Sequence, residues 1–244
     1  MKRIVFSFDD GLSDFYSNVF PILKKYKIKA TLNVITGFSD KSVESNYDCC
    51  SVEQLHELVS YGIEIANHSN DHLSQEPITG YDIAQKKLIK WFPNQPIVGV
   101  ATPYTQGVQR NFYKWCRQNN IKYVRLGDID YRFYIQKIAV KMGLVSYFRT
   151  YCFNNSHYKK KNGTKIIYSF PVFANKDVDF YKKIVEVCSF NPKITFMFHS
   201  LFDSEKYFET CPYPKGAWTT QKFEELVKWA LSRKYKICRQ CDTL

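Results

Sequence analysis

The chain has 244 residues, 45% of them hydrophobic and 17% aromatic, which is enough to bury one large core. No run of eighteen or more apolar residues occurs, which excludes a membrane-spanning helix. The net charge of +12, from 35 Lys+Arg against 23 Asp+Glu, favours anionic partners such as phosphorylated substrates or an anionic lipid surface. Nucleic acid is not expected, because the basic residues are dispersed apart from Lys159-Lys160-Lys161 and no nucleic-acid motif accompanies them.

In chain order, strands and helices alternate. The first predicted strand, Lys2–Phe8, runs through Ile4, Val5 and Phe6 into Asp9-Asp10-Gly11. The apolar stretch that follows Met1-Lys2-Arg3 stops at Phe8, too short for a signal peptide, so a cytoplasmic protein is expected. Further strands are predicted over Lys29–Ile35, Ile63–Asn67, Ile97–Ala101, Lys122–Leu126, Lys165–Val172, Ile194–Phe198 and Lys236–Cys238. Most are short apolar runs, as strands buried on both faces are. Between them, Ser51-Val52-Glu53-Gln54 resembles a capping box that opens a helix with Leu55, Leu58 and Val59 on one face and Gly62 as its stop. Phe112, Trp115 and Cys116 mark a second helix, Ile184, Val185, Val187 and Cys188 a third, and Phe223, Leu226, Val227 and Ala230 the last. One stretch, Tyr131–Tyr168, breaks the rhythm. It is long, aromatic and basic, and reads as an inserted excursion, either a packed lid or a surface for peripheral membrane contact. The fold class expected is α/β: one domain over 1–244, a (β/α) barrel of seven to eight parallel strands, distorted or incomplete, with an insertion at about 131–168.

Eight cysteines are scattered along the chain and fit buried reduced thiols. Cys238-x-x-Cys241 lacks the two further ligands that a structural zinc site needs.

The polar residues gather where predicted strands end. Asp9-Asp10-Gly11 follows the first, Asn67-His68-Ser69-Asn70-Asp71-His72 the third, Thr102-Pro103-Tyr104 the fourth and His199 the seventh. In a parallel barrel these points share the carboxyl-end face, where chemistry sits. Asp-Asp-Gly after a strand is also an ordinary turn signal. Beside three of the chain's five histidines it suggests a division of labour, with one carboxylate on a metal and the other moving a proton. His68 and His72, four apart, are expected on one side of a helical turn, near enough to share a metal with one carboxylate. Ser69 stands where a zincin motif would have glutamate. His56 and His157 fall outside this pattern.

With these motifs in order, the chain resembles the polysaccharide deacetylase family, carbohydrate esterase family 4. Ser7-Phe8-Asp9-Asp10-Gly11 is similar to the family's first motif, and Ile63-Glu64-Ile65-Ala66-Asn67-His68-Ser69 with His72 to the second. Pro103-Tyr104 is similar to the end of the third, and Met197-Phe198-His199 to the fifth, with methionine where leucine is usual. The resemblance implies that Asp10, His68 and His72 bind a divalent metal, usually zinc, with Co2+, Ni2+ or Fe2+ as other candidates. It implies Asp9 as general base, His199 as general acid, and the backbone N–H of Tyr104, after Pro103, as an oxyanion donor.

Two departures stand out. Ala101 occupies the place of the family's third-motif arginine, and Arg125, at the end of the next strand, is the candidate to pair with Asp9 instead; supporting the fold or binding substrate is its alternative role. The fourth motif, aspartate then tryptophan, has no clean match among Asp128, Asp130 and Asp179-Phe180, so the residue that orients His199 is open. The function expected is removal of acetyl groups from an N-acetylated sugar. A lipid- or nucleotide-linked precursor of lipopolysaccharide or capsule suits a cytoplasmic, basic protein. Hydrolysis of a non-sugar amide on the same fold is one alternative. A carbohydrate-binding pseudoenzyme is another, against which the presence of both Asp9 and His199 counts.

Overall fold

The structure is a computed structural model and describes residues 2–105, 111–127, 142–143, 158–188 and 191–244. Ile4, Val5 and Phe6 are fully buried in strand β1 (Arg3–Phe8), which has apolar neighbours on both faces. Around it stand β2 (Thr31–Val34), β3 (Glu64–Asn67), β4 (Gly99–Ala101) and β5 (Tyr123–Leu126), each parallel to the one before. β6 (Tyr158–Lys161) and β7 (Thr164–Tyr168) form an antiparallel hairpin, and β7 pairs parallel with β5. β8 (Phe170–Pro171) pairs with β9 (Lys193–Phe198), which returns to β1. The predicted strand Lys165–Val172 is thus two pieces broken at Ser169, whose hydroxyl donates to Leu126 O at 2.9 Å. Its first piece joins β5 and its second β9, so the curled parallel sheet comes round on itself as the barrel expectation requires.

β10 (Leu201–Phe202) and β11 (Trp218–Thr219) pair with each other beside the barrel. Among the described residues the last strand, β12 (Lys236–Cys238), pairs only with Arg3–Val5 of β1, while β2 takes Ser7 and Phe8 on the remaining half of that edge. β12 is therefore a wedge at the amino end of the barrel and not a full eighth stave. Most of the expected excursion at 131–168 lies outside the described residues; its end is the β6–β7 hairpin, of which β7 belongs to the barrel.

Helices cover the sheet. α1 (Phe20–Lys25) and the short α2 (Thr36–Ser39) come first. α3 (Val52–Tyr61) has the predicted capping box, with Ser51 and Gln54 bonded reciprocally, and stops at Gly62 with φ 103°. α4 (Ile78–Trp91) buries Tyr81, Ala84, Gln85 and Leu88, a 3–4 spacing that the sequence reading passed over. α5 (Phe112–Gln118), α6 (Val178–Val187) and α7 (Thr220–Ser232) match the three other predicted helices. Near β1 and β9 the core is aromatic: Phe8 stacks on Phe198 at 4.9 Å, and Phe223 of α7 meets Phe6 edge-on at 5.2 Å. Such pairs add about 0.5–1.5 kcal/mol each beyond the area they bury.

Register decides where the site lies. Phe8 is level with Phe198, Val34 with Asn67, Asn67 with Val100, and Ala101 with Arg125. The residues that follow these strand ends therefore leave the barrel at one rim.

Candidate active site

Asp10 turns away from Asp9 because its backbone is left-handed, at φ 69°, as is that of Gly11. Ser69, His72 and Tyr104 also have φ of 69°, 52° and 50°. Four non-glycine residues in this costly region around one rim mark a segment held in place by its surroundings. His68 and His72 accordingly sit in a loop after β3, not on the helical turn expected from their spacing. They still converge: His68 Nε2 and His72 Nε2 lie 3.3 and 3.4 Å from Asp10 Oδ1.

The loop is fixed from behind. Asn67 Oδ1 accepts from Ser69 N–H at 2.8 Å, and Ser69 Oγ accepts from His72 N–H at 3.0 Å. His68 Nδ1 lies 3.0 Å from Ala101 O, so Nδ1 carries a proton and Nε2 is the nitrogen that faces Asp10. Among the described residues, Asp10, His68 and His72 are the one group of possible metal ligands, with donor atoms within 4.8 Å of one another. Asp10 Oδ1 is buried and has no hydrogen-bond partner among the described residues. Two imidazole nitrogens and a carboxylate oxygen suit a first-row divalent ion. The residues present fit a metal.

The protonation of Asp10 and His72 supports this. Burial opposes charge on Asp10, but the imidazoles of His68, His199 and His72 outweigh it and hold the carboxyl below the usual range. Burial pulls His72 down to about 4, so it is a neutral ligand near pH 7. For His68, burial also acts downward, but the charges of Asp9 and Asp10 prevail and raise it.

Asp9 is in a different environment. Arg125, fully buried, forms an ion pair with its Oδ1, and Asn33 Nδ2 donates to the same oxygen at 2.7 Å. Arg125 Nη1 also points at Met197 Sδ, 2.8 Å away. The arginine expected to pair with Asp9 is therefore in contact with it, and the methionine that replaces the usual leucine touches that arginine. Asp9 N–H donates to Phe198 O at 2.9 Å, tying this turn to the strand that carries His199.

His199 lies across a cleft of about 340 Å³ whose lining includes Asp9, Asp10, His68, His72, Thr102 and Met197. Tyr47, Tyr104, Pro212 and Tyr213 complete its walls. Tyr213 meets the His199 ring edge-on at 4.8 Å, and Tyr104 lies 4.7 Å from the His72 ring. Pro103 is buried beneath the exposed Tyr104. Of the candidates to orient His199, Asp179 has a side chain 82% exposed and bridged to Lys182, away from this role; Asp128 and Asp130 lie outside the described residues. His56 packs on Phe92 at 5.0 Å, and His157 lies outside the described residues. Sequence reading missed Asn33, whose signal is a polar side chain in the apolar run Leu32–Val34. It also missed Tyr47, Pro212 and Tyr213, which come from loops and carry no periodic signal.

The Polysaccharide deacetylase family model matches residues 1–145, more than half of the chain and all of the segment that carries the triad, Asp9 and Arg125. The chain belongs to the polysaccharide deacetylase family. Among curated members, YxkH of Bacillus subtilis (strain 168) is 37% identical over 78 residues, 32% of this chain and 26% of YxkH. The poly-beta-1,6-N-acetyl-D-glucosamine N-deacetylase of Staphylococcus aureus is 42% identical over 72 residues, 29% of this chain and 25% of that protein. The chain thus spans about a quarter of the length of the curated relatives it matches. A solved family 4 pseudoenzyme from Bacillus anthracis superposes with TM-score 0.56 over 99% of this chain and 64% of its own, at 13% identity, a likeness of fold.

Near this cleft, Asp14 has an unusual carboxyl. Burial pushes it up to about 7, opposed by the Leu201 N–H and reinforced by the charge of Asp10. The unfolded chain holds that proton only to about pH 4. The folded state therefore binds the extra proton between about pH 4 and 7, so this contribution to stability is full below that window and lost as pH rises through about 7. In urea unfolding of chelator-treated protein, Asp14→Asn removes this loss. The stability of the wild type relative to the variant falls from pH 5 to pH 8; a constant difference would refute the assignment.

Proposed function

We propose that this family member is a metal-dependent N-deacetylase that hydrolyses the acetamide of N-acetylated hexosamine units in a glycan. The observation that supports it is the pairing of two adjacent carboxylates in unlike settings across from one histidine. Asp10 converges with His68 and His72, Asp9 is held by Arg125 and Asn33, and His199 lines the same cleft. A divalent ion held by Asp10, His68 and His72 would polarise the amide oxygen and lower the pKa of water toward about 7. Asp9 takes the proton of the attacking water. The oxygen of that water bonds to the acetyl carbon, and the tetrahedral oxyanion forms against the backbone N–H of Tyr104. His199 protonates the nitrogen as the C–N bond breaks, which leaves acetate and a free amine. Tyr47, Tyr104 and Tyr213 give the cleft the aromatic rim on which a sugar ring packs.

The poly-N-acetylglucosamine substrate in the name of the staphylococcal relative supports an N-acetylglucosamine unit as the substrate that gives up its acetyl group. The net charge of +12 supports a glycan borne on a phosphorylated lipid or nucleotide carrier, as precursors of lipopolysaccharide or capsule are. The test is acetate release by the zinc-loaded protein from N-acetylglucosamine oligomers and from lipid- and nucleotide-linked N-acetylhexosamines. Release from at least one class is expected. No acetate from any, under conditions where a known deacetylase works, would contradict the proposal.

A further inference from the structure

We infer that Asp14 and Asn18 are positioning residues that fix His199 relative to Asp9. The two lie four apart: Asp14 is the N-cap of the π-helical segment Phe15–Val19 and Asn18 lies within it. Both reach Leu201, two residues beyond His199. Asp14 Oδ2 accepts from Leu201 N–H at 2.5 Å, and Asn18 Nδ2 donates to Leu201 O at 2.7 Å. One residue of the His199 loop thus has both backbone polar groups taken by side chains from the segment that follows the Asp9-Asp10 turn. At the other end of the same segment, Asp9 N–H donates to Phe198 O. Residues 9–18 therefore grip 198–201 on both sides of His199.

The grip matters because, among the described residues, the backbone of this loop is otherwise held by Trp218 N–H on Ser200 O at 3.0 Å, and the imidazole itself only by its neighbours' packing. His199 Nδ1 is buried and has no hydrogen-bond partner among the described residues, and the ring is met by Tyr213 edge-on. Leu201 is fully buried, so a shift of its backbone carries His199 with it. Asp14 is also costly where it stands: its Oδ1 is buried without a hydrogen-bond partner among the described residues, a loss that an apolar side chain would avoid. A side chain that costs stability and bonds the loop of the acid is accounted for by placement of that loop.

This inference rests on His199 acting as the acid, and its test separates the two. In the full-length zinc-loaded protein, the Cε1–H resonance of His199, assigned with His199→Gln, is compared in wild type, Asp14→Ala, Asp14→Asn and Asn18→Ala, beside metal content, kcat and KM on N-acetylglucosamine oligomers. Asp14→Ala is expected to move or broaden the His199 resonance and lower kcat about 10²-fold, with KM and metal content unchanged. Asp14→Asn keeps an oxygen for Leu201 N–H and restores both. Asn18→Ala moves the resonance in the same way, and stands in for Asp14→Ala if that variant does not fold. An unmoved His199 resonance in the alanine variants, or an Asp14→Asn variant as impaired as Asp14→Ala, would overturn the inference. If the wild type releases no acetate, the deacetylase reading fails while the resonance still decides the positioning.

Discussion

Replacing Arg125 by methionine is expected to cost about 3–5 kcal/mol of stability and to suppress acetate release together. The guanidinium and the Asp9 carboxylate are both buried, with side chains 1% and 4% exposed. Removing one partner of such a pair leaves a charge in a medium that cannot solvate it, and that is the source of the cost. Asn33 remains on Asp9 but brings no charge. Arg125→Lys is no remedy, because a single ammonium cannot serve Asp9 and Met197 from two nitrogens of one fork. Urea unfolding checks the stability and acetate release the activity. The double variant Arg125→Met with Asp9→Asn should regain most of the lost stability, since no uncompensated charge remains. An Arg125→Met protein as stable as wild type would show that the pair is not buried in solution.

The other large effect belongs to Asp9 alone. Asp9→Asn is expected to lower acetate release about 10²–10⁴-fold while zinc content stays at one per chain. The amide cannot take a proton from water, yet the Asp10, His68 and His72 donor atoms are elsewhere. Loss of zinc along with activity would merge the two carboxylates into one role. Retained activity would move the base to another residue.

Much of the site could be read in the chain before any geometry. β-Branched and aromatic runs that end in Asp9-Asp10, Asn67-His68 and His199 placed the chemistry at one rim, because parallel staves expose all their carboxyl ends together. Arg125 as a candidate partner came from one absence at Ala101 and one arginine at the end of the next predicted strand; the structure adds that the two are in register. Other features were not legible. The His68–His72 spacing suggests a helical turn, but Ser69 and His72 adopt left-handed backbone, and side-chain bonds to Ser69 and Asn67 hold it there. α4 begins at Pro77 without a side-chain cap, so its start carried no signal. The break at Ser169 depends on two different neighbours, β5 and β9, each claiming half of one strand. Tyr47 and Tyr213 reach the cleft from irregular segments, where tertiary contacts and not local pattern decide the direction of a side chain.

Metal stoichiometry and acetate release, measured on one chelator-stripped preparation, test the central proposal most directly. The stripped protein is expected to release no acetate from N-acetylglucosamine oligomers, one equivalent of zinc to restore release, and His68→Ala to bind no zinc at that concentration and stay inactive. Affinity should also weaken as pH falls, because His68 and His72 must be unprotonated to serve as ligands. Full acetate release by the stripped protein, or zinc bound as tightly after His68→Ala, would contradict the assignment of Asp10, His68 and His72 as the metal centre of a deacetylase.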